Sequence, residues 1–324
     1  MNPALPPALK ARTDALLEGV SRKGLATRAA AISQAYRVGG GSAAIVTDEV
    51  SVIAYVLARM PATFAAAAAV FEAVKDAVPE FAPKSLLDVG TGPGTTSWAA
   101  CEAWSSLRAV TMTDSNGEFL RMAKLLAEQH RTLARAKIVT CDLRDEISLL
   151  PKAELVTASF VLAEIDDQEE MIARLWSAAK DTLVLIEPGT PAGFARIRRA
   201  RQWLIEQGAH VVAPCTHDSR CPIDGSDWCH FSQRLPRSRD HLKVKDATVP
   251  FEDERYSYVT VSRAPVARAN LARIIAPPEE SKAGVTLPLC TARGLHRAFV
   301  SRRQRDLYAL LRKAKWGDTI LSQE

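Results

Sequence analysis

Apolar and polar positions in the first quarter of the chain repeat with the period of a helix. Residues 3–36 and 62–78 are predicted to be helical, and Thr47 is predicted to cap a shorter helix between them. The glycine-rich stretch 37–44 interrupts this pattern, and a proline is predicted to end or kink the middle helix. Residues 1–80 are therefore predicted to be a helical extension that precedes the main fold.

After Pro83 the pattern changes to short apolar runs that are separated by amphipathic stretches. The stretches 117–133 and 167–180 predict helices, and the run 256–263 predicts a strand that completes the sheet. Strands that alternate with helices at this spacing indicate a parallel sheet covered by helices on both faces, with the first strand central. The other predicted strands are 85–90, 108–114, 137–142, 154–160 and 182–189.

The composition is that of a globular protein with a substantial core. The chain has 324 residues, of which 47% are hydrophobic, and a mean hydropathy of −0.05. No apolar run has the length of a membrane span, and the first residues lack the apolar core of a secretory signal. We therefore expect a cytoplasmic monomer without a membrane partner. In that compartment, clustered cysteines are more often metal ligands than disulfides.

Charge is distributed unevenly along the chain. Residues 1–190 hold 19 Lys and Arg against 23 Asp and Glu, whereas residues 191–324 hold 23 against 14, which together give the net charge of +5. This asymmetry predicts a polyanionic partner for the C-terminal part. A solvated basic surface is an equally good interpretation of the charge alone.

The most informative motif is the glycine-rich turn in 86-LLDVGTGPGTTSWA-99. Gly90, Gly92 and Gly94 alternate directly after a predicted strand and before a predicted helix. Glycines let the backbone turn sharply and approach a ligand, and a helix N-terminus offers free N–H groups. The pattern differs from the G-x-G-x-x-G of dinucleotide dehydrogenases and lacks the Lys-Ser/Thr of a phosphate-binding loop. A strand-to-helix turn without a ligand is the alternative interpretation.

This turn resembles the first motif of class I S-adenosylmethionine-dependent methyltransferases. The resemblance implies a Rossmann-like α/β fold in which the turn passes under the methionine part of the cofactor. It also implies that Asp114 holds the ribose hydroxyls and that Asp142 reaches the adenine amine, although a helix cap and a surface turn are their respective alternatives. The implied residues of the turn itself are Asp88, Gly90, Gly92 and Gly94.

Binding a cofactor does not establish methyl transfer, which needs an aligned nucleophile and often a base. After the fourth predicted strand the chain lacks the N-P-P-Y or D-P-P-Y motif for an exocyclic amine and the Pro-Cys pair for a pyrimidine ring. Glu164 and Glu187 follow the fourth and fifth predicted strands, at the edge where ligands bind in open α/β folds. Either is a candidate base or substrate contact, but a helix cap or an arginine partner is the favoured role for each.

Four of the six cysteines lie outside the methyltransferase-like core. Three fall within fifteen residues, at spacings wider than the C-x(2–4)-C hairpins of most zinc sites. Thiolates favour zinc or iron–sulfur centres, and from spacing alone these two are close to even. Because His217 and His230 are also possible zinc ligands, a zinc site remains an alternative. The four candidate metal ligands are Cys215, Cys221, Cys229 and Cys290.

Several segments together resemble one family, the ribosomal small-subunit-associated methyltransferase-like proteins of mitochondria and their bacterial relatives. The resemblance covers most of residues 45–315 and is most specific in the cysteine segment. It implies a [4Fe-4S] cluster on Cys215, Cys221, Cys229 and Cys290, and immature small-subunit rRNA and ribosomal proteins as partners. The matching segments are 55-YVLARMPATFAAAAAVF-71, 86–99, 186-IEPGTPAGF-194, 214-PCTHDSRCP-222 and 228-WCHFSQRL-235.

Basic segments supply candidate contacts to RNA. Residues 293–315 hold eight Lys or Arg and one acid, interleaved with apolar and aromatic residues, and a second basic group is 196-RIRRAR-201. The alternative is an amphipathic hairpin or helix that packs on the protein with solvated arginines outside. The candidate RNA-binding residues are Arg196, Arg199, Arg293, Arg297, Arg302, Arg303, Arg305 and Lys313, with Arg198 as a further possibility.

These patterns predict three regions and two alternative functions. Residues 81–207 are predicted to be the cofactor-binding core, and residues 208–324 to be a cysteine-rich, basic region that includes the last strands of the sheet. The first function is an S-adenosylmethionine-dependent rRNA methyltransferase. The alternative is a non-catalytic iron–sulfur assembly factor that binds small-subunit rRNA.

Overall fold

The computed structural model describes residues 2–18, 20–37, 45–142, 151–245, 247–267 and 270–322. Most of the predicted break at 37–44 lies outside these residues. The described residues that precede the sheet form the helices α1 (Pro7–Ala15), α2 (Arg22–Arg37), α3 (Glu49–Ala58) and α4 (Met60–Ala77).

The start of α3 lies one residue beyond the predicted cap. Asp48, and not Thr47, is the N-cap, and its carboxylate accepts a hydrogen bond from the backbone N–H of Ser51 (2.7 Å). The hydrogen bond from Arg28 is the main reason that the pKa of Asp48 lies well below its usual range. Pro61 lies in the first turn of α4, where a missing N–H leaves no bond unmade, so it begins that helix.

The central part of the chain alternates strands and helices as predicted. The five predicted parallel strands agree with the structure within about three residues. The helix predicted at 117–133 ends six residues earlier, the strand predicted at 256–263 begins five residues earlier, and the four elements between residues 191 and 244 had no predicted bounds. The elements are β1 (Ser85–Val89), α5 (Thr95–Ala103), β2 (Ala109–Asp114), α6 (Gly117–Ala127), β3 (Lys137–Thr140), β4 (Ala153–Ser159), α7 (Gln168–Ala178), β5 (Ala179–Pro188), α8 (Pro191–Glu206), β6 (His210–Ala213), β7 (Phe231–Pro236), α9 (Arg239–Val244) and β8 (Phe251–Ser262).

The strand order in this sheet is β3-β2-β1-β4-β5-β8-β6, with β7 paired to the first half of β8. Strands β1 to β5 run parallel, and β8 is antiparallel to its neighbours β5 and β6. The prediction that β1 is central is confirmed. This order, with one antiparallel strand inserted between two parallel ones near the edge, is the class I methyltransferase fold.

The two faces of the sheet are covered by different helices. Leu86 belongs to the apolar cluster on the α3–α6 side, and its neighbour Leu87 belongs to the cluster on the α7–α8 side, because successive side chains on a strand point to opposite faces. No single described helix is long and apolar enough to cross a membrane; α3 and α4 meet that criterion only as a pair, across a 49° bend.

A second sheet that the sequence did not predict follows the first. It is antiparallel, has β11 at its centre, and has its own apolar core, which includes Ile274, Leu287 and Val300. The basic segment, for which a hairpin or helix was the alternative interpretation, forms the second strand of a hairpin and then a short helix. The elements are β9 (Leu271–Ile274), β10 (Glu279–Glu280), β11 (Gly284–Thr291), β12 (Gly294–Ser301), α10 (Arg305–Leu311) and β13 (Thr319–Leu321).

Candidate functional site

Asp88 shapes the glycine turn from beneath. Its side chain is buried, and its carboxylate accepts hydrogen bonds from the hydroxyls of Thr91, Ser97 and Thr157, each at 2.7 Å. Burial raises the pKa of this carboxyl group, and the three hydroxyls oppose that shift. Because its partners all belong to the protein interior, the structure places Asp88 as a support of the turn rather than on its open side.

The three glycines of the turn all have positive φ. A Cβ atom on Gly90 (φ +65°) would lie 2.5 Å from Cγ2 of Val161, and one on Gly94 (φ +84°) would lie 3.3 Å from Sδ of Met112. Gly92 (φ +54°) has no such neighbour within 4 Å. The turn is therefore closed against the sheet at its two ends and open above its middle residue.

Asp114 lies at the end of β2, beside this open space. Its carboxylate accepts hydrogen bonds from the backbone N–H groups of Gly92 (2.8 Å) and Asn116 (2.9 Å). Burial raises the pKa of Asp114, and the charge of Asp88 adds to the shift. The cap of α6 is Asn116, so the helix-cap alternative for Asp114 is wrong. Asp142 is half-buried just beyond β3, next to residues 143–150, which lie outside the described chain.

The end of β4 faces the turn with a strained backbone. Phe160 has φ +61°, a value that is uncommon for residues other than glycine, and its N–H donates to the carbonyl of Ile186 (2.7 Å). Its neighbour Val161 is the residue packed against Gly90. Backbone strain of this kind concentrates at ligand sites, where the surrounding structure holds it in place.

Glu187 and Arg196 form a buried ion pair at the same edge of the sheet. The Glu187 carboxylate accepts hydrogen bonds from Nε of Arg196 (2.6 Å) and from the N–H of Leu162 (3.1 Å). Its side chain is fully buried, and that of Arg196 is 15% exposed. The favoured sequence interpretation, an arginine partner for Glu187, matches this geometry. Nε of Arg196 is engaged by Glu187, and contact of Arg196 with phosphates stays a prediction. Glu164 is exposed in a short turn after β4.

Replacing Arg196 with methionine is expected to destabilise the protein by about 3–5 kcal/mol near neutral pH, because it leaves a buried carboxylate without its cation. Burial already raises the pKa of Glu187, and loss of Arg196 removes the main opposing influence. The folded state then keeps a proton that the unfolded state releases, so stability falls as pH rises above the ordinary glutamate pKa and returns on acidification.

Urea unfolding of the variant at several pH values measures this effect. The matched control is Arg199→Met, which removes an exposed arginine of the same helix that contacts Gln168. We expect the control to change stability little at any pH. A loss of stability in Arg196→Met that does not depend on pH would contradict the assignment to Glu187.

The four cysteines predicted as metal ligands line one cavity. Cys215 follows β6, Cys221 and Cys229 lie in the loop before β7, and Cys290 is in β11 of the second sheet. Burial raises the pKa of Cys229 well above its usual value and that of Cys290 to about 12, and the neighbouring thiols add to both shifts. Nε2 of His217 lies 3.7 Å from Sγ of Cys290.

Among the residues that the structure describes, no group of three or more His, Cys, Asp or Glu side chains is arranged to coordinate one metal ion. The structure thus brings the four thiols to one cavity, and metal binding there remains a prediction.

Three arginines donate hydrogen bonds to backbone carbonyls of the cysteine loop, which is residues 214–230. Arg198 donates to Ile223 O (2.7 Å), and Arg201 donates to His217 O (2.7 Å). Arg273 of β9 donates to the carbonyl next to Cys215 (2.6 Å). Arg201 is 3% exposed, and its Nε and Nη1 have no hydrogen-bond partner among the described residues. Unpaired cationic groups beside four thiols fit an anionic, thiolate-bound centre.

Sequence reasoning missed Arg201 and Arg273 as residues of this site. The signal for Arg201 is its position on the apolar face of α8, in register with Ile197 and Leu204, both buried. A cation in such a position requires a buried partner.

The other basic candidates lie on the protein surface. Arg297 is paired with Glu279 (2.5 Å), and both side chains are more than half exposed. These residues are available to a polyanion, and RNA binding by them remains a prediction. The remaining exposed candidates are Arg199, Arg293, Arg302, Arg303, Arg305 and Lys313.

Comparison with known proteins places the chain among relatives from mitochondria. It is 29% identical over 293 residues to the human "Ribosome assembly protein METTL17, mitochondrial", which covers 85% of this chain and 63% of the relative. It is 28% identical over 330 residues to the Schizosaccharomyces pombe "Rsm22-cox11 tandem protein 2, mitochondrial", which covers 82% of this chain and 42% of the relative. The chain therefore spans less than two-thirds of the length of these curated relatives.

The solved structures that resemble this chain do so at low TM-score and low sequence identity. The magnesium protoporphyrin IX methyltransferase of Synechocystis, solved with bound S-adenosylmethionine, has a TM-score of 0.40 and 17% identity over 68% of this chain and 88% of its own. An O-methyltransferase family protein from Burkholderia thailandensis has a TM-score of 0.43 and 13% identity over 68% of this chain and 61% of its own. At these values the assignment of the fold depends on the strand order itself.

The family match is more decisive than any single relative. The model of the family described as "Mitochondrial small ribosomal subunit Rsm22" matches residues 49–321, which include α3, the glycine turn, the cysteine loop and the second sheet. The chain belongs to the Rsm22 family.

Proposed function

We propose that the protein binds S-adenosylmethionine at the glycine turn and assists the assembly of the small ribosomal subunit. The observation that carries the cofactor proposal is the open space above Gly92, between two closely packed glycines and beside the carboxylate of Asp114. A carboxylate there is suited to accept hydrogen bonds from a ribose diol. The N-terminus of α5, which follows the turn, is suited to a carboxylate such as that of the methionine moiety.

We further propose that Cys215, Cys221, Cys229 and Cys290 hold a [4Fe-4S] cluster, with zinc as the alternative. Four thiolates leave a net negative charge around either centre, and the buried guanidinium of Arg201 is suited to offset it. Bound there, the centre would join the cysteine loop to β11 and so fix the second sheet against the first. We assign it a structural role.

The small ribosomal subunit is proposed as partner because of family membership and charge. The names of the family and of the human relative refer to the small ribosomal subunit and to ribosome assembly, respectively. Residues 191–324 carry a net charge of +9, with most of the candidate RNA-binding arginines exposed. Such a surface gains affinity for RNA through the release of counterions.

Methylation of rRNA is the second candidate function. We rank it second because Glu187, one of the two candidate bases, is buried and paired with Arg196. Glu164 is then the remaining candidate base. A base must reach the proton that it removes, and a carboxylate enclosed by an arginine and a backbone N–H does not.

The experiment that tests both candidates uses immature small-subunit particles from cells that lack the protein. We expect the full chain to sediment with these particles and to transfer no labelled methyl group from S-adenosylmethionine. Transfer that is abolished by Glu164→Gln would make the enzyme assignment correct and the first ranking wrong. Failure to sediment with the particles would contradict the assembly role itself.

A further inference from the structure

The outer face of β12 is a surface that no described element covers. Leu295, Arg297 and Phe299 alternate along this strand, so their side chains point to the same face. Leu295 is 44% exposed and Phe299 is 54% exposed, which is unusual for large apolar side chains two positions apart. Among the described strands, β12 pairs with β11 alone, so this face lies at the edge of the second sheet.

The register between β11 and β12 gives the direction of this face. Leu295 lies opposite Cys290, Arg297 lies opposite Pro288, and Phe299 lies opposite Thr286. Residues that lie directly opposite each other share a face. The surface therefore begins beside the thiol cavity, near the turn of the hairpin, and runs to the open end, where β11 begins and β12 ends. The apolar core of the second sheet lies on the other face.

Phe299 is positioned by a glycine in the neighbouring strand. A Cβ atom on Gly284 would lie 2.9 Å from Cζ of Phe299, so the ring tip rests over the space that a side chain would fill. The ring therefore packs against the backbone of β11 on one side and is open to solvent on the other. An aromatic ring held in this way loses little freedom when a flat partner stacks on it.

The chain segment that carries this face is basic, and Glu279 of the neighbouring β10 is paired with Arg297. Residues 293–315 hold eight Lys or Arg and one acid, and exposed arginines stand at both ends of β12, at Arg293 and Arg302. The ion pair of Arg297 with Glu279 is exposed, so it is screened by solvent and readily exchanged for another anion. Apolar rings between cations form a surface suited to a nucleic acid strand whose bases are unpaired.

We propose that the face formed by Leu295, Arg297 and Phe299 binds single-stranded RNA. Phe299 stacks on an unpaired base, Leu295 contacts the next base, and Arg297 contacts the phosphate between them. This inference rests on the proposed function, because the ribosomal small subunit is the source of that RNA. It adds that the RNA is unpaired and that β12 is the strand that contacts it.

The test uses the full chain and two fluorescent probes of equal length, a ten-nucleotide oligouridine and the same backbone without bases. Phe299→Ala is expected to weaken binding of oligouridine about tenfold or more and to leave binding of the abasic probe unchanged, because base stacking is lost and phosphate contacts are kept. Phe299→Trp is expected to retain affinity. Arg297→Ala is expected to weaken both probes and to lower the salt slope by about one.

The matched control is Leu310→Ala, which removes an apolar side chain of α10 that is 71% exposed. It is expected to leave both affinities unchanged. Equal affinities of Phe299→Ala and the unmodified chain for oligouridine would overturn the inference, as would equal losses for both probes.

Two further outcomes separate this inference from the proposed function. A chain that sediments with small-subunit particles but binds neither probe overturns the inference alone. A chain that binds oligouridine through Phe299 but does not sediment with particles overturns the assembly role and leaves the surface assignment in place.

Discussion

Replacing Cys229 with serine is expected to remove the proposed metal centre and to lower the melting temperature more than any other single cysteine change. Cys229 lines the cavity with Cys215, Cys221 and Cys290, and the charges of all three neighbours raise its thiol pKa. Serine is a hard ligand and does not replace a thiolate on iron or zinc. Metal binding at such sites is coupled to folding, with apparent free energies of about 10–16 kcal/mol for structural zinc.

The measurement is iron, zinc and acid-labile sulfide per chain after anaerobic purification, together with a thermal melt. The unmodified chain is expected to hold about four iron and four sulfide, as a [4Fe-4S] cluster requires, and Cys229→Ser neither. The control is Cys101→Ser, which changes a half-buried thiol within α5 that lies outside the cavity. About one zinc without sulfide would show that the cluster assignment is wrong. Full metal content in Cys229→Ser would exclude this residue as a ligand.

The centre is also expected to bind more weakly as pH falls. Burial and neighbouring thiols raise the pKa values of Cys221, Cys229 and Cys290, so these groups are protonated in the metal-free chain at neutral pH. Each must release a proton before it ligates a metal, and acid therefore competes with the metal.

Replacing Gly90 with alanine is expected to weaken binding of S-adenosylmethionine by about a hundredfold or more while the sheet stays folded. The backbone at Gly90 is left-handed, which costs an L-residue about 1–2 kcal/mol. The added Cβ would also lie 2.5 Å from Val161, so the end of β4 must move away from the turn. The backbone strain at Gly90 and the displacement of β4 both change the shape of the space above Gly92. Isothermal titration calorimetry with the cofactor measures the effect.

The matched control is Gly208→Ala, at the end of α8. Gly208 has the same left-handed backbone (φ +80°), but no atom lies within 4 Å of its added Cβ. It should lose some stability and keep its cofactor affinity. A double variant that combines Gly90→Ala with Val161→Ala is expected to recover part of the affinity, because the shorter side chain relieves the clash. Unchanged affinity in Gly90→Ala would rule out the turn as the cofactor site.

The parallel half of the fold could be predicted from sequence because its signals are local. Each buried strand is a short apolar run. The turn after β1 is recognised by its three glycines and by Asp114 some twenty residues later. The second sheet gave no such signal. Its outer strand β12 alternates exposed and half-buried residues and carries arginines, so it reads equally well as an amphipathic segment on the surface.

The candidate sites depend on contacts that sequence spacing does not reveal. In the sequence, Arg196 has the pattern of a surface cation. In the structure, the start of α8 packs on β5, and Arg196 is paired there with Glu187. Cys290 lies far along the chain from Cys229, and only the docking of one sheet on the other brings it to the cavity. Such pairings are set by tertiary packing, which overrides local pattern.

Helix α8 touches both candidate sites. Near its start Arg196 holds Glu187, which in turn fixes the backbone of Leu162 beside the glycine turn. Five residues later, about 7.5 Å along the same axis, Arg201 holds the cysteine loop. Because one helix contacts both places, it is the element through which the proposed cofactor and the proposed metal centre would be coupled, and linkage makes any such coupling reciprocal. The factor by which the metal centre would change the affinity for the cofactor is the factor by which the cofactor would change the affinity for the metal, so dilution of one would be felt at the other.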